Sequence, residues 1–457
     1  MYEKYLNVID ERAEEICAVS DALWDNPEVS YAEYEAVKLL TAKLEENGFT
    51  VERGVGGIPT AFTATYGTKK PVFGILAEYD GLPGMSQAPD VTEKMPIEGK
   101  DTHHGCGHNL FAAGSFAAAL AMKAYIDENQ NCSVKFFGCP AEENGGGKVY
   151  MAREGVFNGV DAISTWHPDR EYMVRTRPSL ANVCINYYFE GVASHAGGSP
   201  HMGRSALDAV ELMNIGVQFL REHMPPTARV HYAIHDTGGL APNMVQSHAS
   251  VQYLIRDLDS ESVRSLRARV DNIAQGAAQM TETTMTSEVV SAYSDLVLIP
   301  ELMDVACEAL LDHPIPQPTE EELAYGKALQ ATMKLTREQQ AMPIFQEKAV
   351  GIQQKINVFG GSTDTSDVSW IVPTVQFRGG TWITGTAGHS WQAASQCRGS
   401  YAKRAALFTG QCVAGTLMRL ADSPERLAKA WEQHKARVGD GYICPIPADV
   451  KPPIKKQ

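Results

Sequence analysis

His104-Gly105-Cys106-Gly107-His108 sets a thiol and an imidazole two residues apart, in a loop whose glycines let the backbone bend until both can meet one ion. A thiolate beside an imidazole suits zinc or a similar borderline metal. The same pair can also sit in a glycine loop and bind nothing. Pro140-Ala141-Glu142-Glu143 follows an apolar run, so two adjacent carboxylates stand at the end of an expected strand, where ligands collect in open α/β sheets. Neighbouring acids point in different directions; one can hold a metal while the other accepts a proton from water. A solvated acidic turn is the plainer account of such a pair. Trp166-His167-Pro168 closes the next expected strand, and Gly388-His389-Ser390 lies in a glycine- and threonine-rich stretch near the C-terminus. Each histidine alone is ambiguous, but together the four places supply five ligands, all outside one intervening segment.

The elements around them alternate. Leu6, Ile9, Ala13, Ile16 and Leu23 recur at helical spacing, and Ser30-x-x-Glu33 reads as a capping box before a second helix that stops at Asn47-Gly48. Strands are expected over Thr60 to Tyr66 and Pro71 to Ala77, then an alanine-rich helix over Leu110 to Ala121. A strand over Ser133 to Phe137, a helix near Lys148 and a strand over Ala162 to Trp166 follow. After Pro178 the order becomes strand Asn182 to Glu190, helix Ser205 to Glu222, strands Arg229 to Asp236 and Ser250 to Arg256, helix Ser260 to Gln279 and strand Thr281 to Ser291. That is the β-α-β-β-α-β order of a ferredoxin-like unit. Beyond Pro300 come helices, a loop-rich stretch, and closing helices Tyr401 to Ala421 and Pro424 to Val438. The expected class is α/β: a catalytic domain in two parts, residues 1–180 and 296–457, interrupted by a ferredoxin-like α+β domain over 181–295.

At 457 residues two domains are the default, and 44% hydrophobic with 21% charged residues is ordinary for a globular chain. A formal net charge of -15 repels nucleic acid and anionic membranes, so neither is an expected partner, and an anionic substrate needs local cations. Met1-Tyr2-Glu3-Lys4 runs into a charged amphipathic segment rather than a basic n-region and apolar h-region, so export is not expected, and no apolar run reaches the roughly 18 residues of a bilayer span. Nine scattered cysteines fit reduced thiols, and a cytoplasmic location is the expectation.

Ala77-Glu-Tyr-Asp-Gly-Leu-Pro83, the His104 to Asn109 loop, Pro140 to Glu143, His167-Pro168, Gly191-Val-Ala-Ser-His-Ala196, Ala241-Pro-Asn243 and Gly388-His389 appear in the order found in one family. The chain resembles the M20 metallopeptidases and aminoacylases, in the branch of bacterial and plant N-acyl amino acid amidohydrolases. The resemblance implies a zinc-peptidase-like catalytic domain with a lid or dimerisation domain inserted. It implies two divalent ions per subunit, Mn2+ or Zn2+, held by Cys106, His108, Glu143, His167 and His389, with Cys106 bridging and Glu142 as general base. Trp24-Asp-Asn-Pro-Glu28, Asn109, Gly361-Ser-Thr-Asp364 and Asp367-Val-Ser-Trp370 are similar to the subgroup acting on p-aminobenzoyl-glutamate. That implies cleavage to p-aminobenzoate and glutamate, a homodimer through the lid, and a related A subunit as a further partner. Asn109 stands where the wider branch usually has aspartate.

On this reading His195, in the lid motif, polarises the carbonyl oxygen from across a dimer interface. Asn243 and Arg256 are candidates to hold a substrate carboxylate. Asp80 and Glu78 would orient a ligand from behind, and Asp364 and Asp367 lie in a loop that could face the site. Three alternatives stay open: a cysteine hydrolase with Cys106 as nucleophile and His108 as base, another N-acyl-amino-acid or dipeptide hydrolase, and an idle regulatory subunit.

Overall fold

A computed structural model describes residues 2–352 and 361–454. Eleven strands occur among them: β1 (Thr50–Arg53), β2 (Phe62–Tyr66), β3 (Val72–Ala77), β4 (Ser133–Gly138), β5 (Ala162–Asp169), β6 (Met173–Val174), β7 (Ala181–Glu190), β8 (Arg229–Asp236), β9 (His248–Asp257), β10 (Thr284–Tyr293) and β11 (Thr374–Gly380). They form a seven-stranded sheet in the order β1-β2-β4-β3-β5-β11-β6 and a four-stranded sheet in the order β10-β7-β9-β8.

In the larger sheet β4, β3, β5 and β11 run parallel, and β2 and β6 pair antiparallel at the flanks. Parallel strands are covered on both faces, which is why β3 reads Val-Phe-Gly-Ile-Leu-Ala without polar alternation and is buried almost throughout. Helix His108–Asn129 connects β3 to β4 and packs along helix Ser400–Ala421. The two approach closely at Gly410, where a Cβ would lie 2.6 Å from the Gly114 carbonyl. The smaller sheet is wholly antiparallel, with helices Ala206–Leu220 and Ser260–Thr281 on one face. Its β7-helix-β8-β9-helix-β10 order is the expected ferredoxin-like arrangement.

Several expectations need correction. Ser30 and Glu33 are not a capping box: Glu33 is itself the residue before helix Tyr34–Glu46, and its buried carboxylate accepts from the Tyr31 and Ala141 N–H groups. Ser30 donates to Asp80 instead. The opening helix breaks at Arg12, so three helices precede β1. The alanine-rich helix is 22 residues long, ten more than the run Leu110 to Ala121, and has the length and mean hydropathy of a bilayer span. It is 89% buried over its most apolar window, as a core helix is. Strand β11 falls within the stretch expected to be loops.

Candidate metal centre

The parallel strands end on one edge, and the chemistry collects there. Glu78 and Asp80 follow β3, Glu142 and Glu143 follow β4, His167 lies near the end of β5, and His389 follows β11. Helix His108–Asn129 starts at its own site histidine. Gly107 before it has φ 79°, and a Cβ there would come within 3.0 Å of Pro168, so glycine lets the loop lie against the end of β5. Ala141 and His389 also hold positive φ, 59° and 57°, without being glycine. Both are tied down: the Ala141 N–H donates to Glu33, and that of His389 to the Gly105 carbonyl at 3.0 Å.

The hydrogen bonds fix which imidazole atoms face inward. His167 Nδ1 lies 2.8 Å from the Pro168 carbonyl, which only accepts, so Nδ1 carries the proton. The lone pair of Nε2 then faces Cys106 Sγ at 3.5 Å. His108 Nδ1 is 2.9 Å from Asp80 Oδ1 and 3.1 Å from the Asp80 carbonyl, and donates there. Its Nε2 faces Glu78 Oε2 at 3.2 Å and Glu143 Oε1 at 3.9 Å. His389 Nε2 stands 3.2 Å from Glu143 Oε2.

His108 Nε2, Glu78 Oε2 and Glu143 Oε1 are buried and have no hydrogen-bond partner. Lone pairs aimed at one another in a dry site are costly until a cation joins them. The donor atoms of Cys106, His108 and His167 all lie within 4.8 Å of one another, as do those of Cys106, Glu143 and His389, and those of Glu78, His108 and Glu142. Cys106 belongs to the first two groups. Soft and borderline donors around unpaired carboxylates fit divalent metal ions.

Charge follows the same pattern. Burial, then Glu143, pushes the Cys106 thiol well above its ordinary range. Burial, then Glu78 and Glu143, raises Glu142 well above a normal carboxyl. Burial would raise Asp80 too, but His108 outweighs it and Asp80 falls to about 2. Burial disfavours charge on His108, yet Cys106 and Asp80 prevail and raise it. Burial, then Arg378, lowers His167, while the hydrogen bond to Glu143 raises His389.

A buried ion network stands behind these groups. Lys148 Nζ is 2.6 Å from Glu78 Oε1 and 2.6 Å from Asp364 Oδ1, with all three side chains fully buried. The sequence marks a helix near Lys148 but offers no reason to place its side chain inside. Asp367 faces away, accepting from the Ser294 N–H and Oγ and from Tyr442. The Asn109 side chain points its amide away from His108 Nδ1, which is held by Asp80. The Asn109 amide donates to Ser20 Oγ and the Cys397 carbonyl, contacts an ionised aspartate could not make.

The lid residues lie elsewhere. His195 is exposed and accepts on Nδ1 from the Gly197 and Gly198 N–H groups, so its proton sits on Nε2. The Asn243 carbonyl accepts from the Ala196 N–H beside it. Arg256 pairs with Asn182 near one end of β9, whereas Asn243 precedes the opposite end, so within one chain the two form no single clamp. A cleft of about 860 Å³, lined by Cys17, Asp90, Glu322, Tyr325 and Arg404 among others, contains none of this constellation.

The family model for peptidase family M20/M25/M40 matches residues 74–390. The chain is 39% identical to one of the subunits of p-aminobenzoyl-glutamate hydrolase from Escherichia coli, over 96% of each chain. It is 30% identical to the Xaa-Arg dipeptidase of Mus musculus, over 95% of this chain and 92% of that one. Among solved structures it resembles a dinuclear metal-binding peptidase of the M20 family from Bacillus subtilis, with a TM-score of 0.60 and 17% identity over 90% of this chain and 99% of that one. It also resembles an aminobenzoyl-glutamate utilization protein from Klebsiella pneumoniae, with a TM-score of 0.59 and 16% identity over 89% and 97%. Structures this distant establish the fold. The sequence matches establish more: the chain belongs to peptidase family M20/M25/M40 and is a hydrolase of amide bonds.

Proposed function

We propose that the chain hydrolyses the amide bond of an N-acyl amino acid, foremost p-aminobenzoyl-glutamate, releasing p-aminobenzoate and glutamate. The observation that carries this is the pair of donor groups joined at Cys106, with Glu142 in the adjoining group beside Glu78 and His108. The Escherichia coli relative, named as a p-aminobenzoyl-glutamate hydrolase, supports the choice of substrate. Cys106, His108, Glu143, His167 and His389 would hold two divalent ions, manganese or zinc, which when bound polarise a carbonyl and acidify water.

The chain's own groups do the rest. Glu142, its proton affinity raised by burial and neighbouring acids, takes the proton of the water that attacks the amide carbon and returns it to the departing nitrogen. Asp80 keeps the proton of His108 on Nδ1. His195 presents an Nε2–H donor to the carbonyl oxygen as negative charge develops there. Its described contacts stay within the lid, which favours a site completed by His195 of the partner subunit. Residues 181–295 serve as lid and dimerisation domain between the catalytic parts 1–180 and 296–457. Edge strand β8, with Tyr232 and Ile234 exposed, suits that contact. Asn243 and Arg256 contribute to substrate binding. A related A subunit, a cytoplasmic location and a place in folate catabolism complete the proposal. Dipeptide hydrolysis is a second reading, favoured by the Xaa-Arg dipeptidase relative. A cysteine nucleophile fits poorly, since burial disfavours the Cys106 thiolate.

The test is glutamate release from p-aminobenzoyl-glutamate by the purified chain with manganese, with zinc and with chelator, beside Glu142→Gln. Metal-dependent release lost in the variant is expected. Release that survives chelation would overturn the proposal.

A further inference from the structure

The sheet edge continues past the metal centre, and its chemistry changes sign. Taken in strand order, it presents Glu142 and Glu143 after β4, Glu78 and Asp80 after β3, His167 on β5, Arg378 on β11, and Arg175 just beyond β6. Arg378 is the register partner of His167, and residues paired across neighbouring strands share a face. Arg175 N–H donates to the Gln376 carbonyl, and its Nη1 lies 2.6 Å from Gln376 Oε1, so Arg175 stands on the face of Gln376. Gln376 and Arg378 are two residues apart on β11 and face the same way. Arg378 and Arg175 therefore follow His167 at about 5 Å and about 10 Å across the sheet.

Both arginines line a cleft of about 140 Å³. Arg175 is 9% exposed; its hydrogen bonds go to Gln376 and the Arg177 carbonyl, both neutral, and among the described residues no carboxylate pairs with it. A buried guanidinium without an anion is an unstable arrangement. Asp169 does not satisfy the cleft alone, since it is shared by Arg378 at 3.3 Å and Arg170 at 3.7 Å. Burial and the nearby Arg378 pull Arg175 down to about 9, against the pull of Asp169 and Glu142. In a chain of net charge -15 this is a local excess of cation beside the reacting centre.

We infer that Arg378 and Arg175 form the subsite that takes the side-chain carboxylate of an acidic amino acid in the substrate, its α-carbon held near His167 and its side chain running over β11. The three carbon–carbon bonds from the α-carbon of glutamate to its side-chain carboxylate span about 4 Å, which matches one strand spacing. This placement rests on the proposed amide hydrolysis and adds the residues that read the acid. Neither arginine is marked by the motifs of the sequence. An enzyme built this way prefers glutamate over a neutral side chain and disfavours a cationic one.

The test compares p-aminobenzoyl-glutamate with p-aminobenzoyl-glutamine, which replaces the carboxylate by an amide of the same shape. In the metal-loaded full chain, Arg378→Gln is expected to lower kcat/KM for the glutamate compound by about 10- to 100-fold. The glutamine compound should change by less than about threefold, and Arg378→Lys should recover part of the loss. Equal losses on both compounds overturn the subsite. Calorimetric binding of the two compounds to Glu142→Gln, with and without Arg378→Gln, separates this inference from the reaction itself. If the wild type cleaves neither compound but binding preference follows Arg378, the reaction is wrong and the subsite stands. If cleavage occurs with a preference that Arg378→Gln leaves intact, the subsite is wrong and the reaction stands. No preference in either assay also overturns the subsite.

Discussion

The two sheets solve opposite problems. At the edge of the seven-stranded sheet, carboxylates, a lysine, imidazoles and a thiol are packed out of water, and several lone pairs there have only each other to face. In the four-stranded sheet, β8 and the His195 loop are open to solvent, and His195 is satisfied by its own backbone. One region is incomplete without cations. The other presents groups to solvent that are already satisfied. Buried unpaired groups thus mark a place that fits an ion, whereas an exposed, locally satisfied side chain leaves its outer nitrogen to solvent.

That contrast can be broken by substitution. Glu142→Gln should lower kcat by about 10²- to 10⁴-fold while leaving the fold intact by circular dichroism. A variant with wild-type turnover would remove Glu142 from the reaction. Lys148→Met should destabilise the chain by about 3–5 kcal/mol, since it leaves the fully buried Glu78 and Asp364 without their cation. Arg204→Ala, which breaks the exposed Arg204–Glu282 pair between loops beside the smaller sheet, should cost less than about 1 kcal/mol. Urea denaturation of both measures the difference directly, and equal costs would erase it.

Mixing sharpens the comparison further. If His195 acts across a dimer, His195→Ala and Glu142→Gln chains, each nearly inactive alone, should regain about a quarter of wild-type activity when mixed, because half the dimers then contain one complete site. No recovery would place His195 on its own chain's site or outside catalysis.

The smallest effect concerns pH. Burial, opposed by the Ser294 and Tyr442 hydrogen bonds, raises Asp367 to about 7. Its folded-state pKa lies above the unfolded one, so between about pH 4 and 7 the folded chain holds the extra proton and this group's contribution weakens as pH rises. Asp367→Asn should therefore lose less stability than the wild type over that interval. A parallel pair of melting curves would contradict the assignment.

The residues whose donor atoms gather at the sheet edge are legible as candidates in the sequence because their surroundings are: glycines around Cys106 and His108, and strands leading into Glu143 and His167. The ferredoxin-like order is legible because β7 and β9 alternate along most of their length and both helices hold their period, although β10 breaks its alternation at Val289-Val290. Strand β11 is not, since Thr-Val-Gln-Phe-Arg-Gly-Gly is short, ends in two glycines and carries an arginine where a buried parallel strand usually carries an apolar residue. The interior place of Lys148 is equally hidden, because a lysine in a seven-residue helix looks like a surface residue until Asp364, 216 positions later, is seen beside it. Ser30 and Glu33 have the residue types of a capping box, and only the fold reveals that both side chains bind elsewhere. Local pattern carries local structure; pairings between distant segments require the fold.

The central claim is that Cys106 joins two metal sites, and metal stoichiometry tests it most directly. Elemental analysis after dialysis should give two ions per wild-type chain, about one in His167→Ala, about one in His389→Ala, and fewer than one in Cys106→Ala. Two ions retained by Cys106→Ala, or no more than one bound by the wild type, would contradict the account.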